Sequence, residues 1–263
     1  MKKRLFSAYH YFRYRVKAVN KHGIHSPFIY SLLNTVIYNK HSYYAYEKIE
    51  LARKQLKSSI QKVNVYDLGA GADKDLSVVN KSVKQILNKS VKPAKYGQLI
   101  FRLVNYFQPK NSLELGTSLG ITSCYIAAAK TNSTVYTIEG SESIANVAEE
   151  QRAFLPYKNI SQLIGNFDTI LPQAIEKLDS IDLVFFDGNH RKIPTLNYFN
   201  QCLTKSHQKS VFIFDDIYWS KEMKEAWEII KNNDRVTVSI DLFYMGIVFF
   251  HTEQVKQHFI IHF

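Results

Sequence analysis

The 263-residue chain holds only two cysteines, Cys124 and Cys202, too few for a secreted disulfide scaffold. It has no uninterrupted apolar run of about 18 residues, which argues against a membrane-spanning helix. Arg13, Arg15 and Lys17 break up the apolar stretch that a signal peptide would need near the N-terminus. There is no internal repeat and no low-complexity tract. Acids are almost missing from the first quarter: residues 1–62 hold 13 Lys/Arg against Glu47 and Glu50, a net +11, whereas residues 63–263 hold 21 of each sign. The absences predict a soluble, cytoplasmic protein of a reducing compartment. What is present is ordinary for a globular chain, 46% hydrophobic and 22% charged. At roughly 100–200 residues per domain, the length suits one large domain or one domain with an appendage.

The basic excess points to an attachment segment with an anionic partner. Residues 3–20 read as an amphipathic helix, with Leu5, Tyr9, Phe12, Val16 and Val19 at helical spacing and Arg4, Arg13, Arg15 and Lys17 on other faces. Three partners suit it: its own domain, an anionic membrane surface, or a nucleic acid. The segment His22-Gly23-Ile24-His25-Ser26-Pro27 breaks the pattern. Ser26 is placed to cap a helix over about 27–38, with Pro27 at its first position, and another helix covers about 45–60. His22 and His25 have no acid or cysteine near them, so turn, capping or pocket-wall roles suit them better than metal binding. The expected organisation is a basic helical extension (1–62), a linker and cap region (63–110) and a main domain (111–263).

From residue 111, short apolar strands alternate with helical stretches. This is the signature of a doubly wound, Rossmann-like α/β sheet. Strands are expected near 112–116, 133–139, 159–164, 181–187, 210–215, 235–240 and 244–251. Helices are expected near 119–129, 141–154, 168–178, 193–204 and 219–231. The last two strands are joined so closely that they must run antiparallel, completing a seven-stranded, mostly parallel sheet.

Two glycine-rich turns compete for a ligand. Asp67-Leu68-Gly69-Ala70-Gly71 follows strand-like Val63–Tyr66 but leads into a polar, lysine-studded stretch, which suits a turn or part of a lid. Glu114-Leu115-Gly116-Thr117-Ser118-Leu119-Gly120 leads into a compact helix of small residues and then a strand ending at Glu139. A carboxylate there is placed to accept both hydroxyls of a ribose. A pyrophosphate wants a tighter G-x-G-x-x-G turn and no acid beside it. Glu114 in this turn favours instead a ligand with positive groups, approached directly or through water.

The second turn, with Glu139, resembles the first two cofactor motifs of class I S-adenosylmethionine-dependent methyltransferases. The resemblance covers about the C-terminal 150 residues. It implies that Glu114, Gly116, Thr117, Ser118, Gly120, Glu139 and Gly140 form the cofactor site, with Asn166 and Phe167 at the adenine and Asp187 beside it.

Acids gather at two neighbouring strand ends: Asp187, in Asp187-Gly188-Asn189-His190, and the pair Asp215-Asp216. Crowded carboxylates repel, and a divalent cation removes that cost. All-oxygen ligands favour Mg²⁺, Mn²⁺ or Ca²⁺. The simpler reading makes Asp215 a helix cap and Asp187 a turn residue. The full pattern resembles metal-dependent O-methyltransferases, particularly those acting on sugar hydroxyls of natural products. In that group acids at these positions hold Mg²⁺ and the histidine is the general base. The catechol-type branch usually has lysine in place of His190 and asparagine in place of Asp216. The resemblance therefore implies Asp187, Asp215 and Asp216 as metal ligands and His190 as the base for a small-molecule hydroxyl. Tyr218 and Trp219 either line the acceptor pocket or pack. Other readings are a nucleic-acid methyltransferase, a cofactor-binding protein without catalysis, and a nicotinamide oxidoreductase. Against the first, there is no Asn/Asp-Pro-Pro-Tyr motif and both cysteines fall in expected helices. A homo-oligomer is compatible with the sequence.

Overall fold

A computed structural model describes residues 2–66, 78–252 and 255–263. The competing turn at 67–71 lies outside the described residues. The chain divides into two compact units, one of residues 1–39 with 179–263 and one of residues 40–178. Among the described residues, no helix is long and apolar enough to cross a membrane.

The chain opens with α1 (Lys2–Lys17) and α2 (Pro27–Leu32). Ser26 caps α2 as expected, its hydroxyl accepting from the Ile29 N–H at 3.4 Å. The single helix expected over 27–38 instead gives way to a π turn at Leu33–Ile37. The side chains of Asn34, Thr35 and Asn39 donate to the carbonyls of Tyr30, Ser31 and Thr35, each four residues back. Such bonds compete with the ladder of a regular helix.

The 40–178 unit contains α3 (Tyr44–Ser58), β1 (Lys62–Tyr66), β2 (Val78–Ser82), α4 (Val83–Ser90), α5 (Ala94–Phe107), β3 (Asn111–Leu115), α6 (Ile121–Ala129), β4 (Thr134–Glu139), α7 (Glu142–Ala153), β5 (Ile160–Ile164) and α8 (Phe167–Glu176). β1 pairs antiparallel with β2. β2 was not anticipated, because its apolar residues sit in a polar, lysine-rich stretch. β3, β4 and β5 run parallel, with Glu114 opposite Thr137 and Glu139 opposite Ile164. α5 buries Leu99, Ile100, Leu103 and Val104 and packs on α6, so it belongs to the core of this unit.

The remaining elements are β6 (Ile181–Phe186), α9 (Lys192–Leu203), β7 (Ser206–Asp215), α10 (Lys221–Asn232), β8 (Val238–Asp241), β9 (Met245–Phe249) and β10 (Gln257–Ile260). In this unit the strand order is β6-β7-β9-β8-β10. β6 and β7 are parallel, β9 is antiparallel to β7 and β8, and β10 is parallel to β8. The reversed strand pair is as expected. β10 is an addition that makes eight strands in the α/β layers, five here and three in the other unit, where seven were expected. Four residues long and half exposed, it gives almost no hydrophobic signal. Its neighbour in sequence, Ile261, bridges Val19, and the Val19 N–H donates to the Ile260 carbonyl at 2.9 Å. Gly246 on β9 is required by packing, since a Cβ there would lie 2.6 Å from the buried Trp227 ring.

α1 docks by a different face from the one its periodicity suggested. Leu5, Tyr9, Phe12 and Val16 are exposed, while Tyr14 is buried. The Tyr14 hydroxyl donates to the Ile261 carbonyl at 2.5 Å, and its ring lies 5.4 Å from Phe243. His10 faces Tyr218 at 5.5 Å. An aromatic cluster on the unit's own surface thus outcompetes the aliphatic stripe as the docking partner.

Candidate active site

In the 40–178 unit, the turn after β3 is built on positive backbone dihedrals at Gly116 (φ 104°), Ser118 (φ 47°) and Gly120 (φ 76°). Glycine takes this region without steric cost. At Gly120 a side chain would also press on Ala148 at 3.3 Å. Glu139, at the end of β4, closes the turn. Its Oε2 accepts from the Ser118 N–H at 2.8 Å and its Oε1 from the Ser141 N–H at 3.0 Å. A carboxylate offers about four lone-pair positions, and the backbone of Gly140 also donates to this one. Burial raises the Glu139 carboxyl pKa, opposed by these backbone donors.

Glu114 is placed otherwise than expected. It is fully buried and accepts from the Thr137 hydroxyl at 2.6 Å and from the Ser123 hydroxyl. Burial pushes its carboxyl up to about 7. Thr117, also buried, shares a hydrogen bond with Thr137 at 2.6 Å. Glu114 and Thr117 therefore hold the turn from beneath rather than present open ligand contacts. Thr137 and Ser123 were missed by sequence reasoning. The available signal was the register that sets Thr137 across from a buried acid. After β5, Gly165 has φ 141° and the Asn166 side chain caps α8, accepting from the Asp168 N–H at 2.9 Å. Gly140 and Phe167 are half-buried and Asn166 is exposed.

In the other unit, Phe186 and Phe214 are in register and stack at 4.4 Å. The next residue on each strand is an acid, so Asp187 and Asp215 emerge side by side. One ligand atom from each of Asp187, His190 and Asp215 lies within 4.8 Å of the others. His190 Nε2 is 3.7 Å from Asp187 Oδ1. The left-handed Asn189 (φ 51°) turns the chain so that the histidine returns to the strand end, and its side chain is held by Tyr198 and Arg191. Asp215 is buried.

Asp216 is not in this group. Adjacent residues of a strand point to opposite sides, and Asp216 leaves β7 with φ 53°, its N–H donating to the Tyr244 carbonyl at 2.8 Å. The constellation is thus two acids and a histidine, where three acids were expected. Tyr218 stacks on Phe243 at 5.0 Å and donates to Asp241 at 2.7 Å, which makes it a packing residue. Trp219 is exposed. His22 and His25 are exposed and join no metal-type cluster among the described residues. Burial pushes Cys124 up to about 12 and raises Cys202 as well, so neither is poised as a thiolate.

Residues 113–217, from β3 through the acids after β7, match the family model of a methyltransferase domain. The O-methyltransferase TomG of tomaymycin synthesis from Streptomyces achromogenes, solved with SAM, is 20% identical with a TM-score of 0.57, covering 85% of this chain and 95% of its own. The SAH-bound methyltransferase PaMTH1 of Podospora anserina is 12% identical (TM-score 0.58; 86% and 97% covered). An O-methyltransferase of Bacillus cereus with SAH is 16% identical (TM-score 0.54; 81% and 93% covered). At these identities the likeness establishes the fold, a class I methyltransferase α/β fold. No curated protein matches the chain. The matched segment includes both the Gly116–Gly120 turn with Glu139 and the residues of the Asp187–His190–Asp215 cluster.

Proposed function

We propose that the protein is an S-adenosylmethionine-dependent O-methyltransferase acting on a small-molecule hydroxyl, dependent on Mg²⁺ or a similar cation, with His190 as general base. The observation that carries this reading is the gathering of Asp187, His190 and Asp215 within 4.8 Å inside the segment that matches a methyltransferase-domain family model. Glu139 binds the ribose hydroxyls of the cofactor, and the Gly116–Gly120 turn lets the backbone approach it closely. Gly140, Asn166 and Phe167 border the adenosine.

The donor set fits a hard divalent cation: two carboxylates supply oxygen, which Mg²⁺, Mn²⁺ and Ca²⁺ prefer. Asp187 and Asp215 would hold it. When bound, such an ion lowers the pKa of a hydroxyl near it. His190 accepts the hydroxyl proton, and an imidazole is suited to that near neutral pH. The oxygen then takes the methyl group from the sulfonium sulfur, which leaves as the neutral thioether of S-adenosylhomocysteine.

The test is methyl transfer from labelled S-adenosylmethionine to a library of hydroxylated metabolites, with Mg²⁺ and with EDTA. The reading expects transfer to oxygen that EDTA abolishes and Mg²⁺ restores. Transfer that ignores EDTA, or goes to nitrogen or carbon, overturns it.

A further inference from the structure

The outward face of α1 is the largest feature the methyl-transfer chemistry does not use. Leu5, Tyr9, Phe12 and Val16 recur at i, i+4, i+7 and i+11, one stripe along the helix. They are 64%, 57%, 69% and 69% exposed. This is not a helix waiting to dock on its own unit. Its opposite side is already fixed by the Tyr14–Ile261 hydrogen bond and the Tyr14–Phe243 and His10–Tyr218 ring contacts. Arg13, Arg15 and Lys17 flank the stripe and are exposed, with Arg13 lying 5.7 Å over the Tyr9 ring. The first acid in the chain is Glu47, so nothing in the helix or its neighbours in sequence neutralises them.

We infer that α1 is a peripheral membrane anchor, lying in the plane of an anionic bilayer with Leu5, Tyr9, Phe12 and Val16 among the acyl chains and its basic residues at the headgroups. An interfacial helix needs an apolar face directed away from its own protein, with cations at the margins whose stems run back along apolar surface. α1 has both. Anionic headgroups supply the opposite charge that the first 46 residues lack. A nucleic acid would engage the arginines and leave the aliphatic stripe in water. A second copy would bring the same cations against this helix, with no acid in α1 to pair with them.

The experiment is co-sedimentation of the full chain with vesicles of phosphatidylcholine alone and of phosphatidylcholine mixed with phosphatidylglycerol. The protein is expected to pellet with the mixed vesicles and to stay in solution with the neutral ones. Phe12→Glu with Val16→Glu is expected to cut partitioning more than about tenfold. Arg13→Gln with Arg15→Gln is expected to weaken it and flatten its salt dependence, read between about 0.1 M and 1 M salt, where the screening length falls from about 10 Å to about 3 Å. All four side chains are exposed, so the circular dichroism melt of each variant should match the parent. No binding to mixed vesicles overturns the proposal, as does binding that Phe12→Glu with Val16→Glu leaves intact. Tighter binding to a DNA or RNA oligonucleotide that the same variant leaves unchanged assigns the helix to nucleic acid. A dimer in sedimentation that this variant splits assigns it to self-association.

Discussion

The Gly116–Gly120 turn and the ends of β6 and β7 handle their carboxylates in different ways. At the Gly116–Gly120 turn, each carboxylate is answered by its own surroundings: Glu139 by the Ser118 and Ser141 amides, Glu114 by the Thr137 and Ser123 hydroxyls. At the ends of β6 and β7, two carboxylates and an imidazole are held within 4.8 Å, where like charges oppose one another. The first arrangement fixes the turn through these hydrogen bonds, while burial raises both carboxyl pKa values. The second gathers two carboxylates and an imidazole within reach of one cation, the seat of the chemistry in the proposed function. Substitutions in the two regions should therefore fail in different ways.

The largest expected effect is at the second region. His190→Ala should lower kcat by about 10²–10⁴, the range for a general base, while calorimetry finds S-adenosylhomocysteine binding within about twofold of the parent, since no cofactor contact is removed. An unchanged rate would end the base assignment. In the same region, Mg²⁺ should raise the melting temperature and EDTA should reverse it, by the free energy of loading the site, about 2.7 kcal/mol at a hundredfold excess over Kd. Asp187→Asn with Asp215→Asn should abolish that shift. A shift that survives would place the cation elsewhere.

The first region should fail in stability, and with a pH signature. Glu114 has its carboxyl raised from 4.5 to about 7 by burial. The folded state therefore holds a proton that the unfolded chain has released between these pH values, and stability falls as pH rises through that window. Above it, the penalty is at most about 3 kcal/mol, from about 1.4 kcal/mol per unit. Glu114→Gln mimics the protonated acid. It should be more stable than the parent at pH 8 and nearly equal to it at pH 4.5 in chemical denaturation. Equal stability at both pH values would mean that Glu114 is not charged in the fold.

Much of this was legible in the sequence. The alternation of apolar strands and helices located β3 to β9 to within a few residues at most ends, and the acids at strand ends follow from the same alignment. The Glu139 position follows from its distance to the turn. What the sequence hid was direction. Periodicity identified the apolar stripe of α1 but not that Tyr14, on the other side, would be the buried face, because aromatic partners distant in sequence decide it. Proximity in sequence grouped Asp216 with Asp215, yet a single left-handed residue sends it elsewhere. Glu114 read as a ligand contact because its acidity was visible and the hydroxyls that answer it, Thr137 and Ser123, lie in other elements.

Glu139→Ala should weaken cofactor binding by about 1.5–3 kcal/mol, the value of hydrogen bonds to a charged group, which is roughly ten- to a hundredfold in Kd. Unlike His190→Ala, it should act through affinity first. Saturating cofactor should restore most of kcat. If kcat stays depressed at saturation, Glu139 also orients the reacting methyl and the two regions are less separate than their hydrogen bonds suggest.

The smallest effect is expected at Asp216, and it bears directly on how the acids are apportioned. Asp216 leaves β7 in the left-handed region, which asparagine tolerates as well as aspartate does. Its side chain lies outside the Asp187–His190–Asp215 group. Asp216→Asn should therefore change activity by no more than about twofold. Asp215→Asn, one residue away, should remove cation-dependent activity. Assaying the two single variants side by side against Mg²⁺ concentration checks this. If both lose activity alike, Asp216 swings into the cation site when it is filled, and the constellation has three acids after all.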